Sequence, residues 1–418
     1  MSTPQTLRAP WIATRDEALR RLTAFVPRAG RDYAAQRNYD RGPCARDNVS
    51  TLSPYIRHRA IAETEVLQAV LTRHTSSEAF KFTAEIFWRT YWKGWLEAHP
   101  AAWSRYRDTL DGALGRLERE PELARNHADA VAGRTGIDAF DAWASELVAT
   151  GYLHNHARMW FASVWIFTLR LPWELGANFF MRHLLDGDQA SNTLSWRWVA
   201  GLHTRGKTYR ATRDNIRRYT ENRYEPGSAL ATSAAALRDP AVPARLSHEE
   251  WPEPAANRPS LLVLHDDDLG VASLDVPNMC VQAVCTLLAT DRRSPQGVAG
   301  RVRAFTHDLA SDARALAAGR FEALDCGSID GAQILPTIES IVRIARENGV
   351  TAIVTPFAPV GPMRDVLDGL ASGLPGALTY AEIRRRYDAL AWPHATRGFY
   401  GLATQIPQIL QQLDLVLA

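Results

Sequence analysis

Apolar residues in the first half of the chain recur at intervals of three and four positions, the spacing of one face of an α-helix. The pattern is clearest in "SEAFKFTAEIFWRTYWKGWLEA" (77–98) and "GIDAFDAWASELVATGYLHNHARMWFASVWIFTLR" (136–170). It runs from about Arg31 to Tyr224 without a convincing strand. We therefore predict an all-α domain here.

The second half has a different texture. Two short apolar runs rich in β-branched residues, "SLLVLHDD" (260–267) and "GVTAIVTPF" (349–357), are separated by helical stretches. Strands that alternate with helices predict a Rossmann-like α/β domain with a parallel sheet. Between the halves, a segment rich in proline and alanine indicates a linker. The predicted parts are an N-terminal leader (1–30), a helical domain (31–225), a linker (226–258) and an α/β domain (259–418).

Composition limits the class of protein. A length of 418 residues suits two or three domains, and the net charge of +2 neither requires nor excludes nucleic acid. The four cysteines are scattered without a CxxC pair, which fits a reducing compartment. The chain begins without the apolar region of a signal peptide and has no run of eighteen apolar residues, so we expect a cytoplasmic protein with no membrane partner.

Charged and aromatic residues concentrate in "LLDGDQASNTLSWRW" (184–198). Asp186 and Asp188 lie in a predicted turn between helices, where either carboxylate could pair with Arg158. Trp196 and Trp198 are two positions apart, so in a helix their rings diverge by about 200°. Taken alone, both patterns are more typical of structural packing than of a functional site.

Six segments in one order change this interpretation, because together they resemble the helical FAD-binding domain of the photolyase/cryptochrome family. The resemblance covers about residues 31–200, and the segments that carry it are "RDYAAQRNYD", "NVSTLSPYI", "AEIFWRTYW", "GRTGIDAFDAW", "TGYLHNHARM" and "DGDQASNTLSWRW".

The resemblance implies that the domain binds FAD. Hydroxyl and backbone N–H groups in a loop that enters a helix suit an anionic diphosphate, and "NVSTLSP" supplies three hydroxyls. Asn192 would face flavin N5, where an amide can donate or accept without adding charge. The implied FAD-binding residues are Tyr33, Ser50, Thr51, Leu52, Ser53, Arg89, Arg158, Asp186, Gly187, Asp188 and Asn192.

The resemblance also implies light-driven repair of pyrimidine dimers in DNA, a carbon–carbon lyase reaction. Glu85 and Asn155 would contact the lesion, while Trp88 and Trp198 would stack on its bases. Arg37 and His156 would contact DNA. Trp196 would be the nearest electron donor to the flavin and Trp173 the next ring. The family's outermost tryptophan of the electron-transfer path falls near Glu120, where this sequence has no tryptophan. The alternatives for that position are Trp160, Trp165 and Trp143.

Other functions stay open because the sequence departs from the family pattern. His156 stands where dimer photolyases usually have arginine, and the two-histidine pattern of (6-4) photolyases is absent. The alternatives are a cryptochrome-like photoreceptor without repair and a flavin redox enzyme that acts on a small molecule. A basic cluster either contacts phosphates or forms a solvated helix face. Its members are Arg205, Lys207, Arg210, Arg213, Arg217 and Arg218.

The α/β half weakly resembles the family's antenna domain, with the domain order reversed. "SLLVLHDDDLGVASL" is similar to the first antenna strand, and "WPHATRGFYGLATQIPQIL" is similar to the motif that follows that domain. The identity of any second chromophore is left open. We expect no metal site, since strand-end carboxylates such as Asp266, Asp267 and Asp268 are common without metal, and the His154/His156 pair lacks a third ligand.

Overall fold

The first half of the molecule is built from helices. The computed structural model describes residues 11–226, 230–239, 257–275 and 279–416, and residues 11–226 contain no strand. A π-helix spans Val164–Thr168. The α-helices are α1 (Arg15–Phe25), α2 (Arg31–Gln36), α3 (Ser53–Arg57), α4 (Glu63–Leu71), α5 (Phe80–Ala98), α6 (Ala101–Arg119), α7 (Pro121–Val131), α8 (Asp138–Thr150), α9 (Asn155–Ser163), α10 (Trp173–His183), α11 (Gln189–Val199) and α12 (Arg213–Tyr219).

The second half contains a five-stranded parallel sheet with the strand order β3-β2-β1-β4-β5. The predicted fold class is therefore confirmed. The elements are β1 (Pro259–His265), β2 (Cys280–Leu288), α13 (Gly300–Phe321), β3 (Leu324–Asp330), α14 (Ile334–Glu347), β4 (Ala352–Pro356), α15 (Pro362–Gly373), β5 (Thr379–Ile383), α16 (Arg386–Ala391), α17 (Phe399–Ala403) and α18 (Ile406–Gln412).

Strand β1 divides the hydrophobic core between the two faces of the sheet. Successive side chains of a strand point to opposite faces. Leu262 and Leu264 join the core that the helical half builds, whereas Leu261 and Val263 join a second core under α14 and α15. One face of the sheet and the helical half thus share a single continuous core.

Parts of the predicted leader and linker are also ordered against the helices. Helix α1 lies within the predicted leader, and residues 230–239 pack on the helical half. The Leu237 amide donates to the carbonyl of Ala200 (3.0 Å), and Arg197 pairs with Asp239 (2.7 Å). The domain boundaries themselves stay a prediction.

The C-terminal segment returns to the helical half and packs on α5. A Cβ atom on Gly94 would lie 2.8 Å from the Cβ of Ala395 and 2.9 Å from Cδ1 of Trp392, so only glycine permits this approach without a shift. The hydroxyls of Thr90 and Tyr387 bond at 2.7 Å. In the described part of the chain, no helix is both long and apolar enough to cross a membrane.

Glu97, near the end of α5, predicts a pH dependence of stability. It accepts the amide of Val360 in the loop after β4, and burial raises its pKa from 4.5 to about 7. The folded state therefore holds a proton that the unfolded state releases, and this contribution to stability is lost as the pH rises through the folded pKa. We expect Glu97→Gln to remove a decline of about 3 kcal/mol in the free energy of unfolding between pH 4.5 and about pH 7.

The measurement is urea unfolding of the unchanged protein and the Glu97→Gln variant between pH 4.5 and about pH 7. Exposed Glu347, paired with Arg343 at 3.1 Å, supplies the control Glu347→Gln, which should keep the decline. An equal pH slope in the Glu97→Gln protein would contradict the prediction.

Candidate functional site

The loop predicted to hold a diphosphate turns sharply before α3. Thr51 adopts a left-handed conformation with φ 52°, which non-glycine residues rarely do. Its hydroxyl accepts from Arg21 Nη1 at 3.1 Å, and the Leu52 amide donates to Ser50 Oγ at 3.4 Å. Hydroxyls beside a guanidinium suit an anionic group. Arg21 was not predicted, because it lies 30 positions from Thr51.

Two carboxylates lie in the connection between α10 and α11, as predicted. Asp186 pairs with Arg158 at 2.8 Å. Asp188 caps α11 by accepting the amide of Ser191 at 2.7 Å. Gly187 between them offers its carbonyl to Arg57 Nε at 2.8 Å. The turn therefore holds both carboxylates, and a hydrogen bond from Arg57 to the Gly187 carbonyl fixes its backbone.

Cations from α5 surround Asp188. Arg89 Nη2 lies 3.5 Å and Lys93 Nζ 3.6 Å from its Oδ2 atom. Burial opposes ionisation, but the charges of Lys93, Arg89 and Arg57 outweigh it and hold the pKa of Asp188 below its usual range. Arg89 was predicted and Lys93 was not, although positions four apart share a helix face.

Several polar atoms in this region are buried and make no hydrogen bond within the described residues. An unmade hydrogen bond of a buried group costs about 1–3 kcal/mol, so such a cluster favours a polar ligand. The diphosphate, ribityl hydroxyls and isoalloxazine edge of FAD carry the complementary groups, and the residues present fit that cofactor. The atoms are Arg89 Nε and Nη2, Asp186 Oδ1, Asp188 Oδ2 and Ser191 Oγ.

Asn192 and Trp196 follow Asp188 at successive four-residue steps of α11 and so share its face. Asn192 Nδ2 donates to the carbonyl of Ala177 at 2.8 Å, which fixes the orientation of the amide. The Trp196 ring is buried edge-to-face against Phe180, with ring centroids 5.2 Å apart.

One aromatic contact leads away from this face, and a separate chain of rings begins at Trp173. Trp165, in the π-helix, lies 6.2 Å from Trp196 between ring centroids. Trp173 contacts Tyr106 at 5.6 Å, and Tyr106 contacts Trp103 at 5.4 Å. The Tyr106–Trp103 extension was not predicted.

The other two candidate rings, Trp143 and Trp160, stack on each other at 5.4 Å. Trp160 also stacks on His156 at 4.1 Å. Trp165 is the candidate that contacts Trp196, but it is fully buried, and the identity of the outer electron donor stays a prediction.

Glu85 on α5 forms an ion pair with Arg37, the residue predicted to contact DNA. Burial raises the pKa of Glu85 although Arg37 opposes the shift. Tyr33 is buried nearby, with its ring edge-to-face on Phe82 at 5.2 Å. The structure thus brings together three of the predicted residues, with a carboxyl group that keeps its proton more readily than an exposed one.

Other rings cover the tryptophans predicted to stack on bases. Phe399 of α17 stacks on Trp88 with ring centroids 3.8 Å apart and 10° between the planes. Trp198 stacks on Tyr209 at 5.7 Å. Neither Phe399 nor Tyr209 was predicted. Base stacking by Trp88 and Trp198 stays a prediction.

The two residues at the start of α9 differ in how firmly they are held. Asn155 is exposed. His156 lies with Nδ1 3.0 Å from the carbonyl of Asn38 and Nε2 3.2 Å from the hydroxyl of Tyr209. Contact of either residue with DNA stays a prediction.

The basic cluster is partly neutralised. Arg213 and Arg217 both pair with Glu225, Arg217 at 2.9 Å, whereas Arg205, Lys207, Arg210 and Arg218 are exposed. Four exposed cations remain for a polyanion.

The aspartates after β1 join the two halves of the molecule. All three are buried, and each pairs with arginine rather than facing another carboxylate. The pairs are Asp266–Arg293 (3.2 Å), Asp267–Arg57 (2.6 Å), Asp268–Arg59 (3.1 Å) and Asp268–Arg385 (2.6 Å).

Comparison with known proteins matches residues 82–254 to the FAD binding domain of DNA photolyase. A deoxyribodipyrimidine photo-lyase of Vibrio cholerae is 26% identical over 268 residues, which cover 62% of this chain and 55% of that protein. One from Streptomyces griseus is 32% identical over 205 residues, covering 44% and 42%. The chain spans about half the length of the curated relatives it matches.

Among solved structures, a bacterial class III photolyase from Agrobacterium tumefaciens aligns with a TM-score of 0.39 and 25% identity, over 50% of this chain and 43% of that one.

Proposed function

The helical half of this chain is a FAD-binding domain of the photolyase/cryptochrome family, and on that premise we propose that the protein uses FAD and blue light to split pyrimidine dimers in DNA. The observation that supports this proposal most directly concerns α5. Glu85 of this helix pairs with Arg37, and Arg89 and Lys93 of the same helix lie beside Asp188. Helix α5 thus connects the FAD-binding residues to a carboxyl group suited to a lesion.

When bound, reduced and excited by light, FAD supplies an electron. The remaining roles fall to side chains. Glu85, whose pKa burial raises, would face a pyrimidine carbonyl oxygen with its carboxyl group. Arg37 orients that carboxyl and offers its other N–H groups to a phosphate. Trp196, buried on the Asn192 face of α11, would supply an electron that brings resting FAD to its reduced form before repair, because dimer splitting itself returns the electron it uses.

The test is dimer reversal in single-stranded DNA by the purified, reduced protein under blue light, with a dark sample as the reference. We expect dimers to disappear only in the light and Glu85→Gln to slow repair. The control is Glu78→Gln, in an exposed segment, which should repair like the unchanged protein. If FAD is bound and reduced by light while the dimers persist, the repair proposal fails.

A second candidate function is a flavin photoreceptor without repair. The stacking of Phe399 on Trp88 favours it, since the C-terminal segment occupies the ring face that a base would need. Light-driven reduction of FAD without loss of dimers, in both the unchanged protein and a Phe399 variant, would support this candidate.

Phe399→Ala should strengthen binding to DNA that carries a dimer. Stacking of a base on an aromatic side chain contributes about 1–3 kcal/mol, so freeing Trp88 should lower the Kd by about tenfold. The measurement is titration of a dimer-containing oligonucleotide at fixed salt. Tyr400→Ala is the matched control, because the neighbouring side chain is 81% exposed. Equal Kd values for the two variants would contradict the prediction.

A further inference from the structure

We propose that a cleft beside Trp173 binds a phosphorylated aromatic compound of mononucleotide size. The cleft has a volume of about 570 Å³ and is formed by α6, by the start of α10 and by residues 237–239. This volume lies within the range of about 300–1,000 Å³ typical of small-molecule sites. The proposal does not depend on the light-driven reaction.

The charge of the lining favours an anion. Five arginines line the cleft, against the acidic side chains of Glu174 and Asp239, and one of the five, Arg116, pairs with Glu120 at 2.7 Å. Asp239 is shared between Arg105 and Arg197, at 3.2 and 2.7 Å. Arg170 and Arg238 are exposed at its rim. The excess of guanidinium groups suits the oxygens of a phosphate, which arginine can bind through two N–H groups at once.

Two buried polar groups in the lining have unmet hydrogen-bonding capacity. The Tyr106 hydroxyl and Arg197 Nε make no hydrogen bond within the described residues, and these side chains are only 1% and 4% exposed. Buried polar groups are normally satisfied, so each one marks a place for a ligand or a water. A phosphate or ring oxygen can accept from both.

The rest of the lining is apolar or aromatic. Trp173 and Tyr106 contribute two rings in mutual contact, and Ile166, Leu171 and Leu202 contribute aliphatic surface. A flat ring buries against such a wall, and an aromatic ring also gains from edge or face contacts with indole. The apolar wall and the cationic rim together suit a ligand that combines an aromatic ring with a phosphate group.

The experiment is equilibrium dialysis of the FAD-saturated protein with AMP and thymidine 5′-monophosphate as the probes. Adenosine tests binding of the aromatic ring without phosphate, and inorganic phosphate tests binding of the phosphate without a ring. We expect at least one nucleotide to bind about tenfold more tightly than adenosine or phosphate alone, since a charge-assisted contact to the phosphate adds to the burial of the ring.

Two variants assign the binding to this cleft. Arg170→Gln/Arg238→Gln should raise the nucleotide Kd about tenfold, and Tyr106→Phe, which keeps the ring, should raise it severalfold. Arg343→Gln/Arg346→Gln, on exposed positions of α14, removes the same charge elsewhere and should leave the Kd unchanged. All variants should bind the same amount of FAD, which would show that the substitutions act on this cleft and not on the flavin site. The proposal is overturned if neither nucleotide binds, or if both double variants weaken binding equally.

Discussion

Asp268→Asn should lower the free energy of unfolding by about 3–5 kcal/mol, the loss typical of breaking a buried ion pair on one side. Asp268 is 1% exposed and accepts from Arg385 Nε and Nη2, both at 2.6 Å, and from Arg59 Nη1 at 3.1 Å. Burial opposes its ionisation, but Arg385 and Arg59 outweigh that and lower the pKa of Asp268. The asparagine would leave Arg385 without its carboxylate partner, whereas Arg59 would keep Glu63 and Asp388.

Urea unfolding at neutral pH measures the change, and Asp291→Asn serves as the matched control. Asp291 also pairs with one arginine, Arg303 at 2.7 Å, but both side chains are more than 40% exposed. Exposed pairs contribute only about 0–1 kcal/mol. If the two variants lost the same stability, the two halves would not be held together by the buried pairs.

Trp196→Phe should slow the light-driven reduction of bound FAD by about tenfold or more, equivalent to a rise of about 1.4 kcal/mol or more in the barrier. Indole is more easily oxidised than phenyl, and the buried Trp196 ring lies on the Asn192 face of α11. The smaller ring should leave FAD bound. The measurement is the bleaching of the blue absorption band under light with an added reductant.

Two further variants identify the ring that follows Trp196. Trp165 contacts it directly, whereas Trp173 leads to Tyr106 and Trp103. Trp165→Phe should slow reduction if the first chain carries the electron, and Trp173→Phe if the second does. Bleaching at the unchanged rate in all three proteins would remove these tryptophans from the path.

The sequence predicted what depends on local pattern. The helices follow from three- and four-residue periodicity. Strands β1 and β4 follow from unbroken apolar runs, because the middle of a parallel sheet is buried on both faces. Edge strand β3 is mostly exposed or half-buried, so its segment "LDCGSID" shows no such run. For the same reason β5 was not predicted.

The candidate site was predicted within short segments and, through the family resemblance, at Arg37 and Glu85, which lie 48 positions apart. The carboxylates before α11, Asn192 and Trp196 come from one short segment, and Arg158 pairs with Asp186 as that pattern allowed. Asp388 pairs with Arg59 across 329 positions, and Phe399 stacks on Trp88 across 311 positions. Sequence periodicity does not predict contacts over such separations. Such partners are set by the tertiary packing of α5 against the C-terminal segment.

The order β3-β2-β1-β4-β5 puts a topological switch point between β1 and β4, where open α/β sheets usually leave a crevice for a ligand at the carboxyl ends of the strands. In this protein the crevice holds side chains instead. Arg57 reaches Asp267 there, and Gln189 lies against both Asp267 and the backbone of Gly361. The carboxyl ends of β1 and β4 therefore form part of the contact with the helical half, and a ligand in this crevice would have to displace Arg57 and Gln189 from Asp267.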